Sequence, residues 1–386
     1  MFNFDFYNPT KILFGKGKIA EIGAEIPAQA RVLVVYGGGS IKQNGVYQQV
    51  LDALKNHQVS EFSGVEPNPS YETLMRAVAQ VKAEKIDFIL AVGGGSVIDG
   101  CKFIAAAALY QGQDPWEILQ QYGRNVGAAL PFGAVLTLPA TGSEMNSGSV
   151  VSRLSLKAKM AFSSPHCFPK FSVLDPLTTY TLPVRQVGNG VVDAFVHVME
   201  QYLTYPANAP LQDRLAEAVL ATLIEEGPKA LQEPENYEVR ANIMWCATMA
   251  LNGVISTGVP QDWATHMIGH ELTALYGLDH AQTLAIVLPA MMQARRAEKR
   301  EKILQYGARI WGITEGDEEQ RIDGAIKQTR EFFEGMQVKT RLSGYGLDQQ
   351  IVEPVLKALA EHRMTSLGER RNVGLDVSRQ VLELSL

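Results

Sequence analysis

The sequence predicts a two-part protein, with an α/β nucleotide-binding domain over residues 1–180 and an all-α domain over residues 181–386. In the first part, short runs of Val, Ile and Leu alternate with helical stretches, which is typical of a parallel sheet with helices on both faces. Two of these runs end in glycine triplets, as strands do before a phosphate-binding turn. In the second part, β-branched runs are few and helical stretches follow one another.

Each element has its own sequence signal. The expected strands are the apolar runs 31–36, 59–63, 86–92, 133–138 and 171–174. The expected helices are 44–56, 70–84 and 96–110, then 184–203, 208–225, 236–256, 261–275, 280–295 and 298–312, with more helix to the end of the chain. Pro67-Asn68-Pro69-Ser70 is a turn that caps the helix beginning near Tyr71. Pro176 and Pro183 interrupt the chain, so the domain boundary is placed near residue 180.

Composition excludes several classes of protein. A chain of 386 residues with 46% apolar and 20% charged residues is an ordinary globular protein. A net charge of −6 argues against a general nucleic-acid binder. The first residues lack the basic region and apolar stretch of a signal peptide, and no long uninterrupted apolar run is present, so neither a signal peptide nor a membrane span is expected. Three widely spaced cysteines without a Cys-x-x-Cys pair favour a reduced cytoplasm.

Two segments, 37–40 and 93–96, read Gly-Gly-Gly-Ser after an apolar run. The second leads into a strong helix former, and a strand, a glycine turn and a helix N-terminus together favour a bound phosphate. Neither segment is the Gly-x-Gly-x-x-Gly dinucleotide fingerprint. Ser96 and Asp99 also fit an N-cap and N3 pair, so helix capping alone is an open alternative for Asp99.

Asp193 and His197 are four residues apart in an apolar stretch, so on a buried helix they share one face. His266 and His270 repeat that spacing, and His280 follows after a turn. A buried carboxylate needs a partner or a metal, so these residues predict a divalent transition-metal site, with a plain Asp–His hydrogen bond as the alternative. Four ligands suffice, which leaves one histidine to relay a proton or contact substrate. The other histidines are expected at the surface: His57, His166 and His362.

Taken together, these motifs resemble the iron-containing (group III) alcohol dehydrogenase family, and within it the branch of NADPH-dependent aldehyde reductases and butanol dehydrogenases. The resemblance covers essentially the whole chain. It rests on segments 11–15, 67–69, 93–99, 137–144, 190–197, 266–271 and 277–281. It implies a dehydroquinate-synthase-like fold, a homodimer, and hydride transfer between NADP(H) and short- to medium-chain aldehydes or primary alcohols.

The resemblance also implies roles for single residues. The metal, Fe²⁺ or Zn²⁺ or another transition metal, is assigned to Asp193, His197, His266 and His280. His270 is assigned to a position near the substrate, where it does not bind the metal. The residues assigned to the cofactor are Asn68, Gly94, Gly95, Ser96, Asp99, Thr137, Thr141 and Lys159, together with the glycine turn 37–40.

The turn Gly37-Gly38-Gly39-Ser40 favours NADP(H) over NAD(H). In a doubly wound fold this turn lies near the adenine ribose, where NAD-specific enzymes place a carboxylate that repels a 2′-phosphate. No acid stands here; the backbone N–H groups of Gly38 and Gly39 and the Ser40 hydroxyl offer a phosphate nest, and Lys159 adds positive charge. A bare turn that discriminates weakly is the alternative.

Aldehyde reduction needs a polarised carbonyl, a hydride and a proton; a metal supplies Lewis acidity and the cofactor supplies hydride. The proton source stays open among water, His270 and a ribose hydroxyl. A same-fold, cofactor-using lyase that resembles dehydroquinate synthase is the first alternative, but the metal segments show no basic cluster for a phosphorylated acid. A metal phosphohydrolase would leave both glycine turns unexplained. A non-catalytic metal or nucleotide binder is the remaining alternative.

Overall fold

The computed structural model describes residues 1–386, which form two compact units. The unit that we call the sheet unit contains Tyr7–Leu182 and Pro234–Thr248. The unit that we call the helical unit contains Met1–Phe6, Pro183–Glu233 and Met249–Leu386.

The sheet unit is built on a six-stranded parallel sheet with the order β1-β8-β5-β4-β2-β3. The strands of this sheet are β1 (Lys11–Phe14), β2 (Arg31–Tyr36), β3 (Gln58–Phe62), β4 (Phe88–Gly94), β5 (Phe132–Leu138) and β8 (Phe171–Leu174). A separate antiparallel hairpin is formed by β6 (Gly148–Arg153) and β7 (Ala158–Ser163). Apolar cores lie on both faces of the sheet, which explains why β2 and β4 contain long continuous apolar runs.

Seven helices belong to the sheet unit. They are α1 (Ile22–Glu25), α2 (Ser40–Gln43), α3 (Val46–Ala53), α4 (Tyr71–Glu84), α5 (Gly95–Leu109), α6 (Glu117–Gln120) and most of α9 (Tyr237–Ala250). The Ser70 hydroxyl accepts a hydrogen bond from the Thr73 N–H at 3.2 Å, which confirms the predicted cap of α4. The helix expected over 44–56 is confirmed but is shorter, because α3 begins at Val46, after Gly45 with a φ of 82°, and ends at Ala53.

The helical unit contains no β-strand among its described elements, as the sequence predicts. Its helices are α7 (Val184–Tyr202), α8 (Pro210–Gln232), α10 (Ala264–Tyr276), α11 (His280–Ala294), α12 (Arg300–Ile310), α13 (Glu318–Gly335), α14 (Val352–Glu361) and α15 (Leu375–Leu384). The expected end of α8 at residue 225 is wrong, since the helix continues through Pro228 to Gln232. None of the helices has the length and apolar character needed to cross a membrane.

Candidate metal centre and nucleotide-binding loops

The two glycine turns lie at the point where the strand order of the sheet changes direction. From β2 the chain passes to β3 on one side, and then returns to β4 on the other side of β2. Gly37–Gly39 follow β2, whereas Gly93 and Gly94 close β4 and Gly95 begins α5, so both turns lie at the carboxyl edge of neighbouring parallel strands. In open α/β sheets this is where nucleotides and other ligands bind.

The glycine turn after β4 is packed so closely that side chains do not fit. A Cβ built on Gly95 would lie 2.4 Å from Oγ1 of Thr141, and one built on Gly94 would lie 3.0 Å from Cβ of Leu138. Helix α5 starts at Gly95 and no side chain caps it. The N–H groups of its first turn therefore have no intrahelical acceptor, and they favour an anion, as expected for a phosphate loop.

The capping alternative for Ser96 and Asp99 is wrong, because α5 begins one residue earlier than predicted and Gly94 takes the N-cap position. The Ser96 hydroxyl instead accepts from the Asn68 N–H at 3.3 Å. Asp99 accepts hydrogen bonds from the Ser143 hydroxyl at 2.5 Å and from the Val150 N–H at 2.9 Å. Burial raises the pKa of Asp99, and the charge of Lys102 opposes that effect.

The remaining predicted cofactor residues occupy different positions in the sheet unit. Lys159 is buried on β7 and its ammonium donates to Oδ1 of Asn68 at 2.8 Å. Thr137 is half-buried near the carboxyl end of β5. Gly38 and Ser40 are exposed in the turn after β2.

Lys102 is a buried charge beside this loop that the sequence analysis did not single out. Its ammonium donates to the Ser143 hydroxyl at 2.8 Å, to Oδ1 of Asn146 at 2.9 Å and to the Gly148 carbonyl at 2.7 Å. Burial lowers the pKa of Lys102 to about 8, although the Asp99 carboxylate raises it. The sequence could have indicated this residue, because Lys102 follows Asp99 by three residues on an apolar helix and so shares its face.

In the helical unit, four of the five predicted metal residues come together. One donor atom from each of Asp193, His197, His266 and His280 lies within 4.8 Å of all the others. The first three side chains are buried and His280 is half-buried. Nε2 of His197 and Nε2 of His280 each lie 3.6 Å from Oδ1 of Asp193.

These separations suit a small transition-metal ion. Ligand atoms about 2.1 Å from a tetrahedral ion lie about 3.4 Å from one another, close to the spacing between Asp193 and its two histidine neighbours. Three imidazoles and one carboxylate form a nitrogen and oxygen set that suits Zn²⁺, Fe²⁺, Co²⁺ or Ni²⁺. Small side-chain rotations would bring the whole set to bonding distance, so the residues fit the ion that the sequence predicts.

Contacts around the donor cluster fix the position of α11 relative to α7. Asp279 precedes His280 and forms a capping box at the start of α11 with Gln282. Nδ2 of Asn189 donates to Oδ2 of Asp279 at 2.9 Å, and Asn189 lies one turn before Asp193 on α7. This side-chain hydrogen bond joins α7, which carries Asp193, to the start of α11, which carries His280.

His270 lies beside the donor cluster without belonging to it. Its ring centroid is 5.4 Å from that of His280 and 6.3 Å from that of His266. The side chain is buried on α10, one turn after His266. His270 is therefore a neighbour of the four donor residues and not a member of their group.

The expected surface position of His362 is wrong. Nδ1 of His362 lies 2.7 Å from Oε1 of Glu271, a carboxylate that is fully buried. This hydrogen bond raises the pKa of His362, while burial opposes the shift. His166 is exposed, as expected, and His57 is half-buried.

Glu200 is a second buried charge that the sequence analysis missed. It lies on α7 three residues after His197, and its Oε2 contacts Nδ1 of His266. Burial and the neighbouring Asp262 carboxylate raise its pKa, whereas N–H donors from Thr265 and His266 lower it. The sequence could have indicated this residue, because Glu200 shares one face of an apolar helix with Asp193 and His197.

Comparison with known proteins shows that the chain belongs to the iron-containing alcohol dehydrogenase family. The model for iron-containing alcohol dehydrogenase matches residues 9–176, and the model for the C-terminal part of the Fe-containing alcohol dehydrogenase family matches residues 188–383. The NADPH-dependent aldehyde reductase YqhD of Escherichia coli is 62% identical over 384 residues, which is 99% of each chain. The probable NADH-dependent butanol dehydrogenase 1 of Bacillus subtilis is 42% identical over 393 residues and covers 100% of both chains.

Solved structures show the same fold. The crystal structure of E. coli YqhD superposes with a TM-score of 0.99 at 61% identity, covering 100% of this chain and 99% of that one. The NADH-dependent butanol dehydrogenase A of Thermotoga maritima superposes with a TM-score of 0.94 at 37% identity, again covering 100% and 99%.

Proposed function

Because the chain belongs to the iron-containing alcohol dehydrogenase family, we propose that it is an NADP(H)-dependent, divalent-metal-dependent aldehyde reductase and alcohol dehydrogenase. The observation that carries the proposal is the buried cluster of Asp193, His197, His266 and His280. The substrate class is short- to medium-chain aldehydes and primary alcohols, in agreement with the names of the aldehyde reductase and butanol dehydrogenase relatives. Those names give no support to a lyase or a phosphohydrolase.

The proposed division of labour follows a domain boundary near residue 180, although Met1–Phe6 cluster with the helical unit and Pro234–Thr248 with the sheet unit. When bound, the metal supplies Lewis acidity to a carbonyl oxygen and NADPH supplies hydride. The first-turn N–H groups of α5 and the residues around them, among them Asn68, Ser96, Asp99 and Thr141, hold and orient the cofactor. Asp193, His197, His266 and His280 hold the metal, and His270 donates a proton to the product oxygen or orients the substrate.

NADP(H) is proposed over NAD(H) because the turn after β2 carries no carboxylate. Gly37, Gly38, Gly39 and Ser40 offer backbone N–H groups and a hydroxyl, and Gly38 and Ser40 are exposed. The relative with 62% identity is named as NADPH-dependent, whereas the butanol dehydrogenase with 42% identity is named as probably NADH-dependent. The choice of cofactor therefore varies inside the family and rests on local residues.

We also propose that the protein is a cytoplasmic homodimer. The compartment is supported by the cysteine pattern, since Cys101, Cys167 and Cys246 are widely spaced and form no Cys-x-x-Cys pair. The dimer is supported by the exposed aromatic side chains of Phe2, Phe4 and Tyr7 near the N-terminus, which a second copy would cover. A monomer by light scattering at micromolar concentration would contradict the dimer.

An anaerobic assay tests the proposed activity. Protein stripped of metal and reconstituted with Fe²⁺ or Zn²⁺ is mixed with NADPH and butanal, and NADPH oxidation is followed by absorbance. We expect oxidation that requires the aldehyde and the metal. If the metal-loaded protein oxidises no NADPH with butanal or with other aldehydes up to medium chain length, the proposed function is wrong.

A further inference from the structure

The carboxylate of Glu200 joins two of the helices that carry metal ligands. It is 3% exposed and lies on α7, one turn beyond His197. Its Oε2 contacts Nδ1 of His266, and its Oε1 accepts from the Thr265 N–H at 2.7 Å. Both oxygens are therefore directed at the first turn of α10, where N–H groups lack intrahelical acceptors and negative charge is favoured.

The contact with His266 has a chemical consequence for the metal. An imidazole binds a metal through a nitrogen that carries no proton, and the hydrogen bond of the other nitrogen decides which one that is. Since Nδ1 of His266 faces Glu200, Nε2 is the atom left for the metal. A carboxylate that accepts from Nδ1–H also fixes the ring orientation and makes Nε2 a stronger donor.

We propose that Glu200 is a positioning residue that holds His266 in the Nδ1–H tautomer and aims its Nε2 at the metal; this inference rests on the metal site of the proposed function. Glu200 is not one of the four clustered donor residues, and it contacts the cluster through His266. Its effect is on metal retention, and it reaches activity only through His266.

A second layer of charge stabilises this arrangement. The Asp262 N–H donates to the Glu200 carbonyl at 2.9 Å, and Oδ1 of Asp262 accepts from the Ala264 N–H at 2.8 Å. Oδ2 of Asp262 is 2.5 Å from the ammonium of Lys299, which also contacts Glu369 at 3.2 Å. Buried carboxylates need such a countercharge, so Lys299 helps to keep the segment before α10 in place.

A purely structural cap is the competing explanation, and metal affinity separates the two. Glu200→Gln keeps the side-chain size and one acceptor oxygen, so Thr265 retains a partner. Its amide cannot satisfy Thr265 and also accept from Nδ1–H of His266. A structural role alone would lower the Tm of the metal-free protein and leave the Zn²⁺ affinity of the folded protein unchanged.

The experiment measures Zn²⁺ dissociation constants by competition with a chromophoric chelator, in the full-length protein, for three forms. We expect Glu200→Gln to bind Zn²⁺ about 10- to 100-fold more weakly than the unmodified protein. Glu226→Gln is the matched control, because Glu226 is another buried glutamate of the helical unit and pairs with Lys229 on α8. The control should stay within about twofold of the unmodified protein, since this glutamate has no contact with a proposed ligand.

Equal Zn²⁺ affinity of Glu200→Gln and the unmodified protein would overturn the inference while leaving the proposed function intact. Failure of the unmodified protein itself to bind Zn²⁺ or Fe²⁺ would overturn the proposed function instead. If Glu200→Gln does not fold, ¹⁵N chemical shifts of the histidines in the Zn²⁺-loaded, unmodified protein decide the question. A proton on Nδ1 of His266 supports the inference, and a proton on its Nε2 overturns it.

Discussion

Nε2 of His280 lies 3.6 Å from Oδ1 of Asp193, although the two residues stand on different helices far apart in the sequence. The same carboxylate oxygen is 3.6 Å from Nε2 of His197. One carboxylate thus faces two imidazoles in a buried setting, which would be costly without a further partner for the charge. The proposed divalent cation, bound between them, would satisfy all three groups at once.

The variant His270→Ala is expected to retain bound metal and to lose turnover. His270 stands outside the donor cluster, so its removal leaves all four proposed ligands in place. Loss of a group that transfers a proton in the transition state lowers kcat by roughly 10²- to 10⁴-fold. Metal analysis and steady-state kinetics on the same preparation check this, and a variant that loses its metal would show that the fourth ligand has been misassigned.

The variant Gly37→Asp is expected to shift cofactor preference from NADPH towards NADH. The added carboxylate would repel a 2′-phosphate by roughly 1–4 kcal/mol at a partly hydrated site, so kcat/KM with NADPH should fall about tenfold or more relative to NADH. Gly37→Asn is the matched control, because it adds the same volume near the Val65 carbonyl without charge. Equal use of NADH and NADPH by the unmodified enzyme would show that this turn does not select.

The variant Gly95→Ala is expected to weaken NADPH binding. The new methyl group would lie 2.4 Å from Oγ1 of Thr141, so the turn and the start of α5 must move apart. Because the first-turn N–H groups of α5 are the proposed phosphate donors, the Kd for NADPH should rise at least tenfold, measured by cofactor fluorescence. Gly127→Ala, where a Cβ meets no atom within 4 Å, should leave the Kd unchanged. An unaltered Kd in Gly95→Ala would remove this loop from the binding site.

The titration of Lys102 is expected to make the free energy of unfolding rise with pH. Burial lowers its pKa from 10.5 to about 8 in the folded protein. Between these two values the unfolded chain binds more protons, so the contribution of Lys102 to the free energy of unfolding rises with pH, by at most about 1.4 kcal/mol per pH unit. That contribution is lost as the pH falls through the folded pKa.

The measurement compares denaturant unfolding of the unmodified protein and of Lys102→Met from pH 7 to pH 10. Titrations shared by both proteins cancel in the difference. The unmodified protein should gain stability relative to the variant above about pH 8, where its buried ammonium loses its charge. A difference that stays flat across this range would mean that the folded pKa of Lys102 is not lowered.

Much of the fold follows from the sequence, because the strands β2, β4, β5 and β8 are buried along most of their length. The bounds of β2 and β8 agree with the apolar runs 31–36 and 171–174. The family and the fold inferred from the motifs are confirmed. The hairpin of β6 and β7 was missed, because its residues do not alternate between apolar and polar and include the buried Lys159.

The candidate site was predictable where residues repeat a helical spacing. Asp193 and His197 share a face of α7, and the structure brings them together with His266 and His280. Helical spacing could have drawn attention to Lys102 and Glu200, but it could not give their roles. A single charge in an apolar helix acquires a role only from its tertiary partners. Those partners, Ser143 for Lys102 and His266 for Glu200, come from distant parts of the chain.

The central claim, that Asp193, His197, His266 and His280 hold the catalytic metal, is tested most directly by anomalous X-ray diffraction from crystals grown with Zn²⁺. We predict one strong anomalous peak in the helical unit, about 2.0–2.2 Å from a donor atom of each of the four residues, with His270 outside bonding distance. An anomalous peak elsewhere in the molecule, or one bonded to His270 in place of any of the four, would contradict the claim.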